Sequence, residues 1–182
     1  RRVSVAGGMD AGRLRKQLER IHSFNDSIRG FRVLKSAEVD ILKDGSLDLP
    51  DDVLDELDIV LCSIHYHRTL PRQDQTKRLL SAMDHPRFQI FAHPTGRLIG
   101  EREAYEINME KVMEKAKDKG IFFEINADPR RLDLNDRYTK MARDNGILVS
   151  LGTDAHSIDA LSHMQYGVWQ ARRGWLTADD VI

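Results

Sequence analysis

The sequence has one cysteine, Cys62, five prolines and no apolar run approaching the roughly 20 residues that a bilayer-crossing helix requires. A single thiol excludes an internal disulfide and a thiolate-rich structural zinc site. The missing apolar run excludes a transmembrane helix, and a soluble, cytoplasmic protein without membrane partners is the plain expectation. Neither sign of charge prevails: 28 Lys plus Arg face 29 Asp plus Glu, for a formal net charge of -1. No global positive field therefore draws in a nucleic-acid backbone, and a DNA substrate must be held by local groups or by another domain. A Walker-type glycine loop, a Gly-x-Ser-x-Gly elbow and an aromatic-basic strand are also absent, which removes the parts of a nucleotide-driven motor, a serine hydrolase and an RNA-binding sheet. A starting Met is lacking too. Arg1-Arg2-Val3-Ser4 opens the chain without the apolar segment of a signal peptide, so residues 1–182 are expected to be one domain within a longer protein.

What is present is alternation. Apolar runs of strand length at Phe31 to Ile41, Leu57 to Ile64, Phe88 to Ala92, Ile121 to Asn126 and Ile147 to Leu151 stand between helical stretches, the pattern of repeated βα units. Asp10 to Phe24 places Leu14, Leu18 and Ile21 at helical spacing, and Glu103 to Lys119 does so with Ile107, Val112 and Ala116. Gly30, Gly120 and Gly146 each stand between a helical pattern and the next strand, where a helix end needs a residue tolerant of positive φ. Asp44-Gly45 reads as a turn, followed by a short solvated helix start near Asp48 to Asp52. The fold class is therefore α/β with a largely parallel sheet covered by helices.

Parallel α/β folds bind ligands at the carboxyl ends of their strands. Glu38 closes one run, His65 follows Ser63-Ile64, His93 follows Phe91-Ala92, and the last strand delivers Asp154 and His156. Imidazole and carboxylate donors suit zinc, manganese or iron. Singly, Glu38 suits an ion pair with Lys35 or Arg32, His65 and His93 suit packed histidines, and Asp154 suits a helix cap. Their convergence on one face favours a shared metal centre. His22, His85 and His163 read as solvated or packed, whereas His67 either points with His65 or lies past a turn of the chain. Arg97 and Arg130 leave strands through turns and, with Asn126, suit an anionic substrate; the alternative for Arg97, Arg130 and Arg131 is ion pairing with Glu101, Asp128 or Asp133.

Together these segments resemble a known family. Glu38-Val39-Asp40, Ser63-Ile64-His65, Ala92-His93-Pro94-Thr95-Gly96-Arg97, Asn126-Ala127-Asp128-Pro129-Arg130-Arg131-Leu132-Asp133 and Thr153-Asp154-Ala155-His156-Ser157 are similar to the polymerase and histidinol phosphatase (PHP) domain, in the variant at the C-terminus of bacterial and archaeal family X DNA polymerases. The likeness covers nearly the whole chain. It implies a distorted, seven-stranded TIM-like βα barrel holding up to three metal ions, manganese or zinc. The position of Glu38 then bridges two metals, His65 and His93 hold one of them, Asp154 reaches the other, and His156 belongs to the third. The implied activity is 3′-to-5′ exonuclease and 3′-end processing in DNA repair, beside an N-terminal polymerase domain. The family's opening His-x-His strand and a second strand ending in Asp-His are not in the sequence, so the chain is expected to start just after them. Tyr66-His67 also replaces a smaller, more polar pair.

No side chain offers itself as nucleophile, so the expected attacking group is metal-activated water. Three competing readings stand beside the exonuclease: a free-standing phosphatase of histidinol phosphate type, a domain that braces a polymerase without catalysis, and an amidohydrolase-like enzyme, which the arginine turns disfavour.

Overall fold

The computed structural model describes residues 10–182; Arg1 to Ser4, on which the expectation of a preceding segment rests, lie outside them. Helix α1 (Ala11–Ser27) begins where the Asp10 side chain accepts the Arg13 N–H at 2.8 Å, satisfying one of the donors that a helix start leaves free. It buries Leu14 and Leu18 on the expected stripe.

All five expected strands form, each shorter than its apolar run: β1 (Ser36–Asp40), β2 (Ile59–Ser63), β3 (Ile90–Phe91), β4 (Phe122–Asn126) and β5 (Val149–Gly152). They pair in parallel, in the order of the sequence. The register sets Glu38 beside Leu61, Cys62 beside Phe91, Phe91 beside Phe123, and Asn126 beside Gly152. The intervening helices are α2 (Asp51–Leu54), α3 (Arg72–Ala82), α4 (Met109–Lys119) and α5 (Asp136–Asp144), and α6 (Met164–Arg173) follows β5. A strand order that never reverses offers no switch-point crevice, so the loops at the carboxyl ends are where this sheet can build a site. The described residues contribute five strands, not the seven that the resemblance implies. Beyond β5, the Ile182 N–H reaches the Val149 carbonyl at 2.9 Å and partly covers that edge.

Two departures from expectation have local causes. Residues 31–35 are not strand, because side chains take their backbone groups: Asn25 bonds both the N–H and the carbonyl of Val33 at 2.8 Å, and Asp58 accepts the Lys35 N–H at 2.8 Å. The helix expected from Glu103 starts only at Met109, where the Asn108 side chain caps it, leaving Ile107 outside. The expected punctuation does appear: Gly30, Gly120 and Gly146 have φ of 72°, 66° and 72°.

Phe91 and Phe123 are wholly buried and meet edge to face at 5.7 Å, at the middle of the sheet. Helix α3 contributes Leu79 and Ala82 to this core but also the buried Arg78. The Arg78 guanidinium donates to the carbonyls of Leu42 at 2.8 Å, Tyr66 at 2.9 Å and Ile41, so one side chain ties the loops after β1 and β2 together. Replacing it by an apolar residue strands buried acceptors without water. Arg78→Met is expected to lower the free energy of unfolding by about 2–4 kcal/mol, well beyond Lys77→Met on the exposed face of α3. Denaturant titration measures both, and equal losses would mean the two loops hold without the arginine.

Candidate metal centre

In a strand, residues two apart share a face, so β1 turns Glu38 and Asp40 the same way. Glu38 is mid-strand, not at the strand end as expected, and its length carries the carboxylate toward the loops. Its Oε1 lies 2.7 Å from His93 Nε2 and 3.4 Å from His65 Nε2. One ligand atom from each of Glu38, His65 and His93 falls within 4.8 Å of the other two, close enough for a single cation. The imidazoles meet edge to face at 5.2 Å between ring centres.

Each ligand is held from behind. Asp40 Oδ1 sits 2.6 Å from His65 Nδ1, with Ser63 Oγ at 3.1 Å, so the proton belongs on Nδ1 and the Nε2 lone pair is left for a cation shared with Glu38. His93 is buried, with φ of 29°, and its backbone N–H donates to Glu124 Oε2 at 2.7 Å. The next turn is fixed by Asp133, fully buried, which accepts the N–H groups of Thr95 at 2.9 Å and Gly96 at 2.8 Å. Positive φ at His93 and at Asp154, 51°, is backbone strain at the positions nearest the candidate chemistry.

The electrostatics follow from this packing. Burial alone would raise the Glu38 carboxyl, but the hydrogen bond and charge of His93, then the charge of His65, hold it down to about 2. Burial disfavours a proton on His93, and the Glu38 carboxylate overcomes that and raises its pKa. Burial drives Glu124 up to about 7; the His93 contacts oppose this, and the charges of Glu38 and Asp154 add to it. A cation displacing the shared proton would meet one carboxylate and two imidazoles, a donor set suited to zinc or manganese.

The other expected ligands stand apart from this trio. Asp154 accepts from Asn126 Nδ2 at 3.2 Å and lies 3.4 Å from Arg131 Nε, while His156 is 69% exposed and its Nδ1 bonds the Asp154 carbonyl at 2.7 Å. They line a cavity of about 430 Å³ with Asp128, Arg130, Ser157 and His163. Among the substrate candidates, Asn126 is wholly buried and its amide is used inside the protein, accepting the Asp128 N–H at 3.0 Å and donating to Asp154. Arg97 donates to the carbonyls of Arg131 at 2.8 Å and Leu132 at 2.5 Å. Arg130 is exposed at the cavity and grips Asp128, Nη2 to Oδ2 at 2.7 Å. His67 has φ of 53°, is exposed, and faces a different cavity with Tyr66 and Lys43, so the chain has turned away from His65. Glu124, Asp40 and Asp133 were not among the expected site residues. The first two were findable, since each stands two places from an expected residue in its own strand, Asn126 or Glu38.

An α/β protein with a carboxylate–imidazole cluster beyond the carboxyl ends of successive parallel strands is thus defined. The chain is 43% identical over 180 residues to the DNA polymerase/3′-5′ exonuclease PolX of Bacillus subtilis strain 168, which covers 99% of this chain and 32% of that protein. A probable phosphatase of Thermoanaerobacter sp. strain X514 is 30% identical over 86% of this chain and 66% of its own length. A probable phosphatase of Syntrophotalea carbinolica is 32% identical over 90% of this chain and 70% of its own length. No family model matches. The chain belongs to the polymerase and histidinol phosphatase family. It spans about a third of the PolX relative and about two thirds of the phosphatases.

His93→Ala is expected to weaken divalent-metal binding at least about tenfold, because a ligand should matter no less than the groups that support it. Metal content after identical purification measures this, and equal content would make His93 a packed histidine. A second expectation concerns Glu124. Its carboxyl keeps its proton to about 7 when folded and releases it near the ordinary 4.5 when unfolded, so its contribution to stability is greatest below 4.5 and declines as pH rises to about 7. In chelator-treated protein, Glu124→Gln should therefore lose less melting temperature than wild type between about pH 5 and about pH 8. Parallel pH profiles would remove Glu124 as the titrating group.

Proposed function

We propose that this chain is the phosphoester-hydrolase domain of a family X DNA polymerase, acting as a metal-dependent 3′-to-5′ exonuclease and 3′-end processing enzyme in DNA repair. The observation that carries the reading is the meeting of Glu38, His65 and His93 at ligand distance in a chain that matches a named polymerase/exonuclease along nearly its whole length. The five strands are, on this reading, the wall of the distorted seven-stranded barrel of the family, residues 1–182 form one domain, and a polymerase domain precedes it in the longer protein. On this reading the domain works in the cytoplasm; among the described residues no helix is long and apolar enough to cross a membrane.

Glu38, His65 and His93 would hold the first divalent cation, manganese or zinc, with Asp154 and His156 serving further ions up to the three of the complete domain. Such ions supply Lewis acidity toward phosphate and water acidified to near-neutral pKa. The chain's own part is positioning. Asp40 keeps the His65 proton on Nδ1, Glu124 fixes the His93 backbone, and Asn126 aligns Asp154. No side chain here is assigned as nucleophile. Arg130, exposed at the cavity of Asp154 and His156, is the sequence candidate best placed to meet a substrate phosphate directly; Arg97 and Asn126 act through the groups they hold.

A second reading is favoured by the probable phosphatases, which match this chain over most of their length: hydrolysis of a small phosphomonoester. The full-length protein with manganese should shorten a 5′-labelled, 3′-recessed DNA end one nucleotide at a time. Chelation should abolish this, and Glu38→Gln should lower turnover by at least about a hundredfold, the upper end of what loss of a ligand's supporting group alone costs. Hydrolysis of a monoester such as histidinol phosphate with intact DNA ends would instead establish the phosphatase.

A further inference from the structure

The expected phosphate-gripping arginines are largely occupied, whereas two others have only neutral partners, a shared carbonyl and, for Arg68, the Tyr105 ring. Arg68, just beyond His67, and Arg102, in the turn after Arg97, both point their guanidinium groups at one neutral acceptor, the Gly96 carbonyl. Arg68 Nη2 reaches it at 2.5 Å, and Arg102 Nε and Nη2 at 3.1 and 2.9 Å. Gly96 allows the approach, since a Cβ there would lie 2.7 Å from the Tyr105 ring and 3.1 Å from Arg68 Nη2. Among the described residues neither arginine has a carboxylate within ion-pair distance. Arg68 Nε is buried without a partner, and so is Nη1 of Arg131, the arginine beside Asp154.

Two cations sharing one carbonyl, with a third nearby, are poorly compensated. Burial first, and then the neighbouring guanidinium charges, lower the pKa of both Arg68 and Arg102. Asp133, the buried carboxyl whose charge reaches Arg68, is already taken by the backbone of Thr95 and Gly96, and burial raises its pKa. An anion bringing several acceptor oxygens would relieve both the repulsion and the unmade hydrogen bonds. The position is also right: the Gly96 N–H closes a turn on the His93 carbonyl at 2.9 Å, so the pair sits one turn from a candidate metal ligand, and Arg102 opens to solvent.

We propose that Arg68 and Arg102, with Arg131 beside Asp154, seat a phosphate of the substrate other than the one being cleaved. The substrate class is therefore a chain of phosphodiesters, such as an oligonucleotide, in preference to an isolated monoester. This rests on the phosphoester-hydrolase reading above and says which substrates that site prefers.

The test uses the full-length protein and two arms. In chelator-treated protein, calorimetric titration with inorganic pyrophosphate should show binding that R68Q and R102Q each weaken at least about tenfold, the equivalent of one charged hydrogen bond. Loss of the Arg68 contacts can disturb the 93–96 turn, so the exposed Arg102 decides if R68Q melts early. With manganese, the ratio of kcat/KM for a trinucleotide to that for p-nitrophenyl phosphate should fall about tenfold in R102Q, mainly through KM. A wild type that does not bind pyrophosphate, or an R102Q protein that binds it as tightly and keeps the same ratio, overturns the proposal. A wild type that binds pyrophosphate through these arginines but hydrolyses neither substrate leaves the seat standing and removes the hydrolase reading.

Discussion

The short contact between Glu38 Oε1 and His93 Nε2, 2.7 Å, joins β1 to the loop after β3 across the strand that lies between them. It exists only because parallel pairing in sequence order brings the carboxyl ends of β1, β2 and β3 to the same side. A shift of one residue in β1 would turn Glu38 and Asp40 to the other face, and both the carboxylate of the trio and the partner of His65 would leave together. The register of three short strands is therefore the constraint on which the centre depends. The core explains why that register is firm: Val60, Cys62, Phe91 and Phe123 are fully buried in adjacent strands, so a slip would expose them.

Around the trio the protein has added a layer of acceptors whose charges are unevenly satisfied. Asp40 faces an imidazole, Asp133 faces backbone N–H groups, and Glu124 faces the His93 N–H and a longer contact from the Asn126 amide while lying near two other carboxylates. Glu124 is also packed tightly: a Cβ on Gly152 would come within 2.3 Å of its Oε1. Such a carboxyl stays protonated more readily than its neighbours, which lets three acids share a small volume before any cation arrives. Glu124, Asn126 and Asp154 then form one hydrogen-bonded line from the backbone of His93 to the loop after β5. That line connects the compact trio with the cavity that holds Asp154 and His156.

The α/β class, all five strands and the trio itself were legible in the sequence, because each signal is local. Apolar runs mark the strands, glycines mark the helix ends, and a His or Glu near a strand end announces itself by type. What escaped depends on partners far along the chain. Asn25 and Asp58 claim the backbone of residues 31–35 and so shorten β1, a competition invisible in a stretch that reads as apolar. Helix α5 was missed although Tyr138, Met141 and Ala142 stand at helical spacing and face the core, because so short a stripe sits in an otherwise polar segment. The roles of the arginines were the least legible, since Arg97 and Arg130 announce a phosphate grip by position, yet one holds backbone carbonyls and the other Asp128. The turn of the chain at His67, with positive φ, is likewise a property of the loop and not of the residue.

A net charge near zero conceals a strong local separation. Glu38, Asp40, Glu124, Asp133 and Asp154 converge beyond the strand ends, and Arg68, Arg97, Arg102, Arg130 and Arg131 surround them on the loops that leave those strands. Opposite charges at these separations in a partly desolvated cleft act far more strongly than the same charges spread over a surface. An acidic floor attracts divalent cations, and a basic rim attracts the anion those cations act on; neither layer needs a global field. Arg131 leans on Asp154, Arg130 on Asp128, and Arg68, Arg97 and Arg102 rest on backbone carbonyls. A cation held by these carboxylates would compete with Arg131 for Asp154, and so would leave that guanidinium to an anion.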